Sequence, residues 1–559
     1  MADNQHERSS ATNKEIREFV VFTMDVFEVL TFFVFFCVVL SEFQCPKQLQ
    51  TTGCTCKQLI WWNNENKTIV NCSMANLQTV PDFKVLNTYE ISHLILSHNN
   101  ISEITSGDFT DLMIKEMDIS ANPIVSFETV SSILPRHLNT LIAKKSKISL
   151  DADLAFFRGL ENLTELILDS NVLENNNQTL PGNIFKDLNL KSLRKLSLQS
   201  CEIGGIHSKA FTGLRQLEEL DLSYNYLEEV PEAIQSLYHL KKLILLGNNV
   251  MHLKDNTFHG LQYLHDLNLN VNEISKIDVH AFSGLEHSLK DIRLHYNNLN
   301  TIPYEALRKL KNLSFLVLSR NNITLIPKDA FVGVTNLRIL ELDSNTLTYY
   351  DEMFNGLENS LETLTLRETG LRVLPVRSLL FLKRLTDLDV SHNRIISLSY
   401  GDIGKLKLKT VDISHNHLTI IQPDTFIGIS RTIGLDLDNN KLTNLSFVLH
   451  VTPCAFSYID VSGNDVICDC DTEKIINSGI VLGVGPTGNC KIEDDPSNHK
   501  YKLGTTALSR ELEDRCNRTE RVFDCQTMEL QASTASLITK SLNFVFTCTL
   551  LCYFVSMYR

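Results

Sequence analysis

The chain has 559 residues, 14 cysteines, 43% hydrophobic residues and a net charge of −14. That acidic balance argues against nucleic acid or an anionic membrane surface as a partner. Length alone would suggest several domains.

Residues 1–17 are polar and mixed in charge, unlike the short basic leader of a secretory signal. Residues 29–40 (VLTFFVFFCVVL) form a 12-residue apolar run, too short to span a bilayer and suited to a signal h-region. Val39 and Ser41 are modest-sized residues for a peptidase, so residues 1–41 are read as a signal peptide and Glu42 as the mature start. Met24 would be a more ordinary signal start than Met1. The competing reading, an uncleaved anchor over 19–40, must carry Asp25 and Glu28 into the bilayer.

Cys45, Cys54, Cys56 and Cys72 come next, in the order C-P-x7-C-x-C-x15-C. Cysteines one residue apart on an extended segment face the same way, so a 54–56 bridge is strained. Residues 42–85 are therefore expected to form a disulfide-bound cap rather than a zinc site, given the leader. Val70, Cys72 and Leu77 already match the inward phase of the repeats downstream.

Over residues 86–466 one phrase recurs: apolar, two free positions, apolar, free, apolar, two free positions, Asn, free, apolar. Leu313-Leu316-Leu318-Asn321-Ile323 spells it, and there are 16 copies, the Asn position falling at 99, 122, 146, 171, 201, 225, 248, 272, 297, 321, 345, 369, 393, 416, 440 and 464. Self-similarity at this period means stacked coils. The apolar-free-apolar core has the period of a strand, and one such strand cannot bury its face alone. Stacking buries it and yields a parallel sheet, about 77 Å long at roughly 4.8 Å per strand. The Asn amide both donates and accepts, so it can satisfy backbone groups that the turn strands. Ser146, Cys201 and Thr369 replace it and should bond the turn less completely. A second apolar point on the back of the coil is often Phe, as at Phe109, Phe185, Phe211, Phe258, Phe282, Phe331, Phe354 and Phe426. Residues 174–179 form a polar insertion after Asn171.

Residues 467–530 carry Cys468, Cys470, Cys490, Cys516 and Cys525, a second cap in which Cys468 and Cys470 are expected to bond different downstream partners. Cys454 lies just upstream, and Cys201 reads as a buried, inert thiol. Residues 531–559 hold small residues, Lys540 and a 16-residue, largely apolar run. This suits a glycosylphosphatidylinositol signal or a membrane helix, either of which places the chain at the outer cell surface, with a secreted product as the third reading. Nine sequons, at Asn66, Asn71, Asn100, Asn162, Asn177, Asn312, Asn322, Asn444 and Asn517, fit that lumenal route.

The exposed strand position carries Asp389, Asp412, Asp436 and Asp460 on four adjacent coils, with Asp438 nearby. Stacked, they form an acidic stripe suited to a basic ligand, although Asp in this phrase is often merely solvated. His392 and His415 occupy matching positions on adjacent coils but lack a third ligand for a metal. Lys144 and Lys145 give a basic spot, and Tyr224, Tyr296 and Phe315 offer aromatic anchors. No nucleophile elbow, HExxH, phosphate loop or triad is present, so neither catalysis nor a cofactor is expected.

With both caps and coils of about 24 residues, residues 45–525 resemble extracellular leucine-rich-repeat proteins such as Slit, chaoptin and Toll ectodomains. CPKQ, CTC, TIVNCS and VSGNDVICDC are similar to arthropod relatives of the non-catalytic subunit of oplophorus-luciferin monooxygenase. The resemblance implies an α/β solenoid, a horseshoe of about 16 coils with short parallel strands on its concave face and disulfide-bound caps at both ends. It also implies protein ligands on that face, in adhesion or recognition, with a co-receptor role or, alternatively, service as the non-catalytic subunit of a secreted enzyme.

Overall fold

The computed structural model describes residues 39–41, 45–60, 66–105, 107–109, 111–124, 126–127, 134–151, 154–174, 178–429, 431–451, 455–477, 482–483, 489–492, 500–503 and 505–516. Nearly all of the expected leader, Cys37, Cys454, Cys525, Cys548, Cys552, Asn177, Asn517 and the tail 531–559 lie outside the described residues.

From the third coil to the fourteenth each repeat contributes a three-residue strand; in Glu219–Asp221, Lys242–Ile244 and Asp266–Asn268 the middle residue is buried between two half-exposed neighbours. Successive strands pair in parallel, with Leu220 beside Leu243, Leu267 and Ile292 in turn. A three-residue strand has no stability of its own. It is held by the shared core: Leu217, Leu220 and Leu222 are fully buried against the equivalent residues of the coils on either side, each such burial stabilising by about 2 kcal/mol. The back-face phenylalanines are buried as well. Phe185 stacks on Phe211 with ring centroids 6.4 Å apart, and Phe258 on Phe282 at 5.8 Å.

The asparagines stitch neighbouring coils together. Asn321 accepts from the Leu299 amide at 3.0 Å and donates to the carbonyls of Leu294 and Leu318 at 2.9 Å each, so its one side chain bonds two coils. The three substitutes keep only part of this. Ser146 donates to the Ile119 carbonyl at 3.1 Å, Cys201 to the Leu168 carbonyl at 3.4 Å and Thr369 to the Leu366 carbonyl at 2.7 Å. Lacking an amide oxygen at residue 369, the Leu347 amide turns back to the Asn345 carbonyl, and lacking one at residue 146, the Ile124 amide bonds to the Asn122 and Ser146 carbonyls. The residue before each Asn adopts a left-handed conformation, including Tyr224, Val271, Tyr296, His392 and His415.

The caps continue the same sheet. Asn66–Asn71 pairs in parallel with Glu90–Ile95, Thr55–Ile60 adds to it antiparallel, and Val39–Ser41, the last residues of the expected leader, pair with that strand. Disulfides join Cys45 to Cys56 and Cys54 to Cys72. At the far end Leu482–Gly483 extends the sheet. There Cys468 is bonded to Cys490, and Cys470 to Cys516, tying the helices Cys470–Asn477 and Thr506–Arg515 over the last coil. Cys201 is free and buried, and burial pushes its thiol up to about 12. Among the described residues no helix is long and apolar enough to cross a membrane.

Candidate ligand-binding face

Parallel pairing in register turns each exposed strand position into a column. In the coils of Cys201, Asn225 and Asn248 the charges of these columns alternate. Lys195 and Lys242 flank Glu219 at 3.9 and 3.4 Å, and along the sheet edge Arg194 and Lys241 both pair with Glu218. The expected basic spot is also partly neutralised, because Lys144 meets Asp169 at 3.1 Å.

The pattern reverses further along. Asp389, Asp412, Asp436 and Asp460 are direct partners on consecutive strands. Like charges facing each other across strands are destabilising. One oxygen of each carboxylate closes the local turn by accepting from the amide two residues on, at Ser391, Ser414, Asp438 and Ser462, at 2.9 to 3.0 Å. Asp118 and Asp221 make the same bond as isolated residues. The turn thus explains an aspartate at this position but not four of them in a row. The nearest basic group is Arg367, 3.8 Å from Asp389. Burial, reinforced by Asp412, Asp438 and Asp460, pushes the Asp436 carboxyl up to about 6. Burial likewise raises Asp389. The Tyr458 ring lies across Gly434, where a Cβ would strike it, and its hydroxyl is raised by burial and by Asp436, Asp412 and Asp460.

His392 and His415 stack with ring centroids 4.2 Å apart and planes within 8°. They follow Asp389 and Asp412 by three residues, with His415 Nε2 3.3 Å from Asn439 Nδ2 and 4.0 Å from Asp438 Oδ2. Among the described residues no group of three or more histidine, cysteine or acidic side chains is arranged to hold a metal.

Tyr224 and Tyr296 are exposed and share the left-handed position before the Asn, whereas Phe315 lies on a strand of the sheet. Around Phe315 lies a group that the repeat pattern did not single out. Arg293 sits 5.5 Å from the Phe315 ring centroid and donates to Asp291 Oδ2 at 2.6 Å. Ile339 is the direct partner of Phe315 on the next strand. Asp291 Oδ1 is buried without a hydrogen-bond partner, and burial raises that carboxyl. Apolar residues at exposed positions of adjacent strands were the available signal.

Of the sequons, Asn100, Asn162, Asn312, Asn322 and Asn444 are exposed and Asn71 is half-buried. Asn66 lies in the strand Asn66–Asn71.

A sheet of parallel strands, back-face turns and disulfide-closed ends defines a solenoid of stacked repeat coils. The leucine-rich-repeat family model matches residues 191–250, 238–288, 287–347 and 316–360, and a second leucine-rich-repeat model matches 407–429. The chain is a cysteine-capped leucine-rich-repeat protein. It is 26% identical to mouse podocan-like protein 1 over 69% of this chain and 74% of that one. It is 30% identical to Drosophila melanogaster chaoptin over 39% of this chain but only 15% of chaoptin. Its fold matches that of Drosophila Toll in the glycosylated Toll–Spatzle complex, with a TM-score of 0.61, 18% identity and coverage of 80% of this chain and 75% of that one. These relatives are extracellular and cell-surface leucine-rich-repeat proteins, not enzymes.

Proposed function

We propose that the chain is a glycosylated protein held at the outer cell surface, where its concave sheet binds a protein ligand in recognition or adhesion, alone or as a co-receptor. The observation that carries this reading is the ladder of four aspartates in register, Asp389 to Asp460. Stability does not call for like charges stacked this way, and Lys195, Glu219 and Lys242 on three earlier coils alternate in sign instead. A basic ligand surface would relieve the repulsion and be steered by it. The Arg293–Phe315 pair supplies the aromatic and arginine character of an interface centre. Toll, whose solenoid this fold matches, is found in complex with Spatzle, which supports a macromolecular partner here over a small molecule. Anchorage through residues 531–559, by lipid or by helix, completes the proposal.

Proximity labelling from cells displaying the full chain tests the binding role. The triple variant Asp412→Asn/Asp436→Asn/Asp460→Asn is expected to lose labelled partners that the wild type retains. An unchanged partner set would refute the role of this face. Release of the protein by a phosphatidylinositol-specific phospholipase would support the lipid anchor over the helix.

A further inference from the structure

A second surface, on the flank of the solenoid away from the acidic column, has the opposite charge. In most coils the apolar points leading into the strand are three residues apart, as in Leu379-Leu382-Leu385-Leu388. The next coil runs Ile403-Leu406-Leu408-Val411, one residue short between Leu406 and Leu408. Where the shortened coil meets its full-length neighbour, a crevice of about 140 Å³ opens. Its floor is Leu382, Leu385 and Leu406, and its rim is Lys383, Lys405 and Lys407, all three exposed. Phe381 is 56% exposed and Leu380 44% exposed beside it. Lys405 lies 4.7 Å from the Tyr400 ring centroid, and among the described residues no carboxylate forms an ion pair with any of the three lysines. Three such lysines around an apolar floor are notable in a chain of net charge −14.

We propose that this crevice is a docking site for an acidic peptide segment of a partner protein, with one bulky apolar side chain inserted between the two coils. A dry cavity of roughly 150 Å³ accommodates a benzene-sized group, so the floor takes one Phe or Leu side chain. The rim lysines then pair with carboxylates on either side of that residue, and their charge is only partly screened at such a recess. The site is separate from the concave face and stands whether or not that face binds a ligand.

The probe is a fluorescein-labelled Gly-Glu-Asp-Phe-Asp-Glu-Gly peptide titrated by polarisation into purified full-length protein. Saturable binding is expected, weakened at least tenfold by Lys383→Glu/Lys407→Glu and by a Ser in place of the peptide's Phe, and unaffected by Lys311→Glu. Those substitutions are on exposed side chains, and an unchanged thermal melt confirms that the variants fold. Absence of saturable binding, or equal binding by Lys383→Glu/Lys407→Glu, would overturn the proposal. So would binding to phosphatidylserine vesicles that requires these lysines while the peptide does not bind, since the site would then serve a lipid surface.

Discussion

Asn393 holds Thr369 in place from the next coil: its amide oxygen accepts from the backbone amides of Thr369 and Leu371, at 3.0 Å each. In the Asn321 coil a single amide is served in this way. After each of the three substituted coils the following asparagine serves two, as Asn171 does for Ser146 and Ile148 and Asn225 for Cys201 and Ile203. Asn393 also donates to the Leu366 and Val390 carbonyls at 2.8 and 2.9 Å. Asn393→Ala therefore strands several buried backbone groups and is expected to cost about 3 kcal/mol or more. Denaturant unfolding of that variant, compared with Asn321→Ala, should show the larger loss for Asn393.

The left-handed column predicts a stabilising change. Val271 is β-branched and holds φ at 54° with 41% of its surface exposed. Val271→Asn keeps the turn, relieves the strain and is expected to gain about 1 kcal/mol. A rise in melting temperature relative to wild type checks this.

Much of this architecture was legible in the sequence because each coil repeats the same solution. The inward leucines, the back-face phenylalanines and the asparagines are dictated by a shared core, and Leu220 and Phe211 are buried as their spacing requires. Less was legible where an effect arises between coils. The Arg293–Phe315–Asp291 group depends on strand register, and the lysine-rimmed crevice depends on one missing residue beside a full-length neighbour. The left-handed turn position was also hidden, since Tyr224 and Tyr296 carry no local sign of a positive φ.

The acidic column predicts a pH dependence. The folded-state pKa of Asp436, about 6, lies above its ordinary value of 3.8. Folding thus favours the protonated form, and the penalty is complete above pH 6 and disappears as pH falls toward 4. Asp436→Asn should stabilise the protein at pH 7.5 by about 1 kcal/mol, after discounting for solvent screening at a half-buried site. At pH 4 the two melting temperatures should converge. A constant difference across that range would mean that the effect is not one of ionisation.

The thiol and the disulfides separate cleanly. Cys201 is fully buried with a raised pKa, so Ellman's reagent should leave it unmodified in native protein and react once it unfolds. Peptide mapping without reduction should recover the 45–56, 54–72, 468–490 and 470–516 pairs. Cys54→Ser/Cys72→Ser is expected to lower stability by about 2–5 kcal/mol and to expose the first coil to protease.

The most direct test of the proposed function places a photo-crosslinking residue at exposed Thr410, beside Asp412 on the concave strand, and in a second protein at exposed Val332 on the back of its coil. A concave binding face predicts that the Thr410 position captures a protein partner from the cell surface and that the Val332 position does not. Capture from Val332 with none from Thr410 would contradict it.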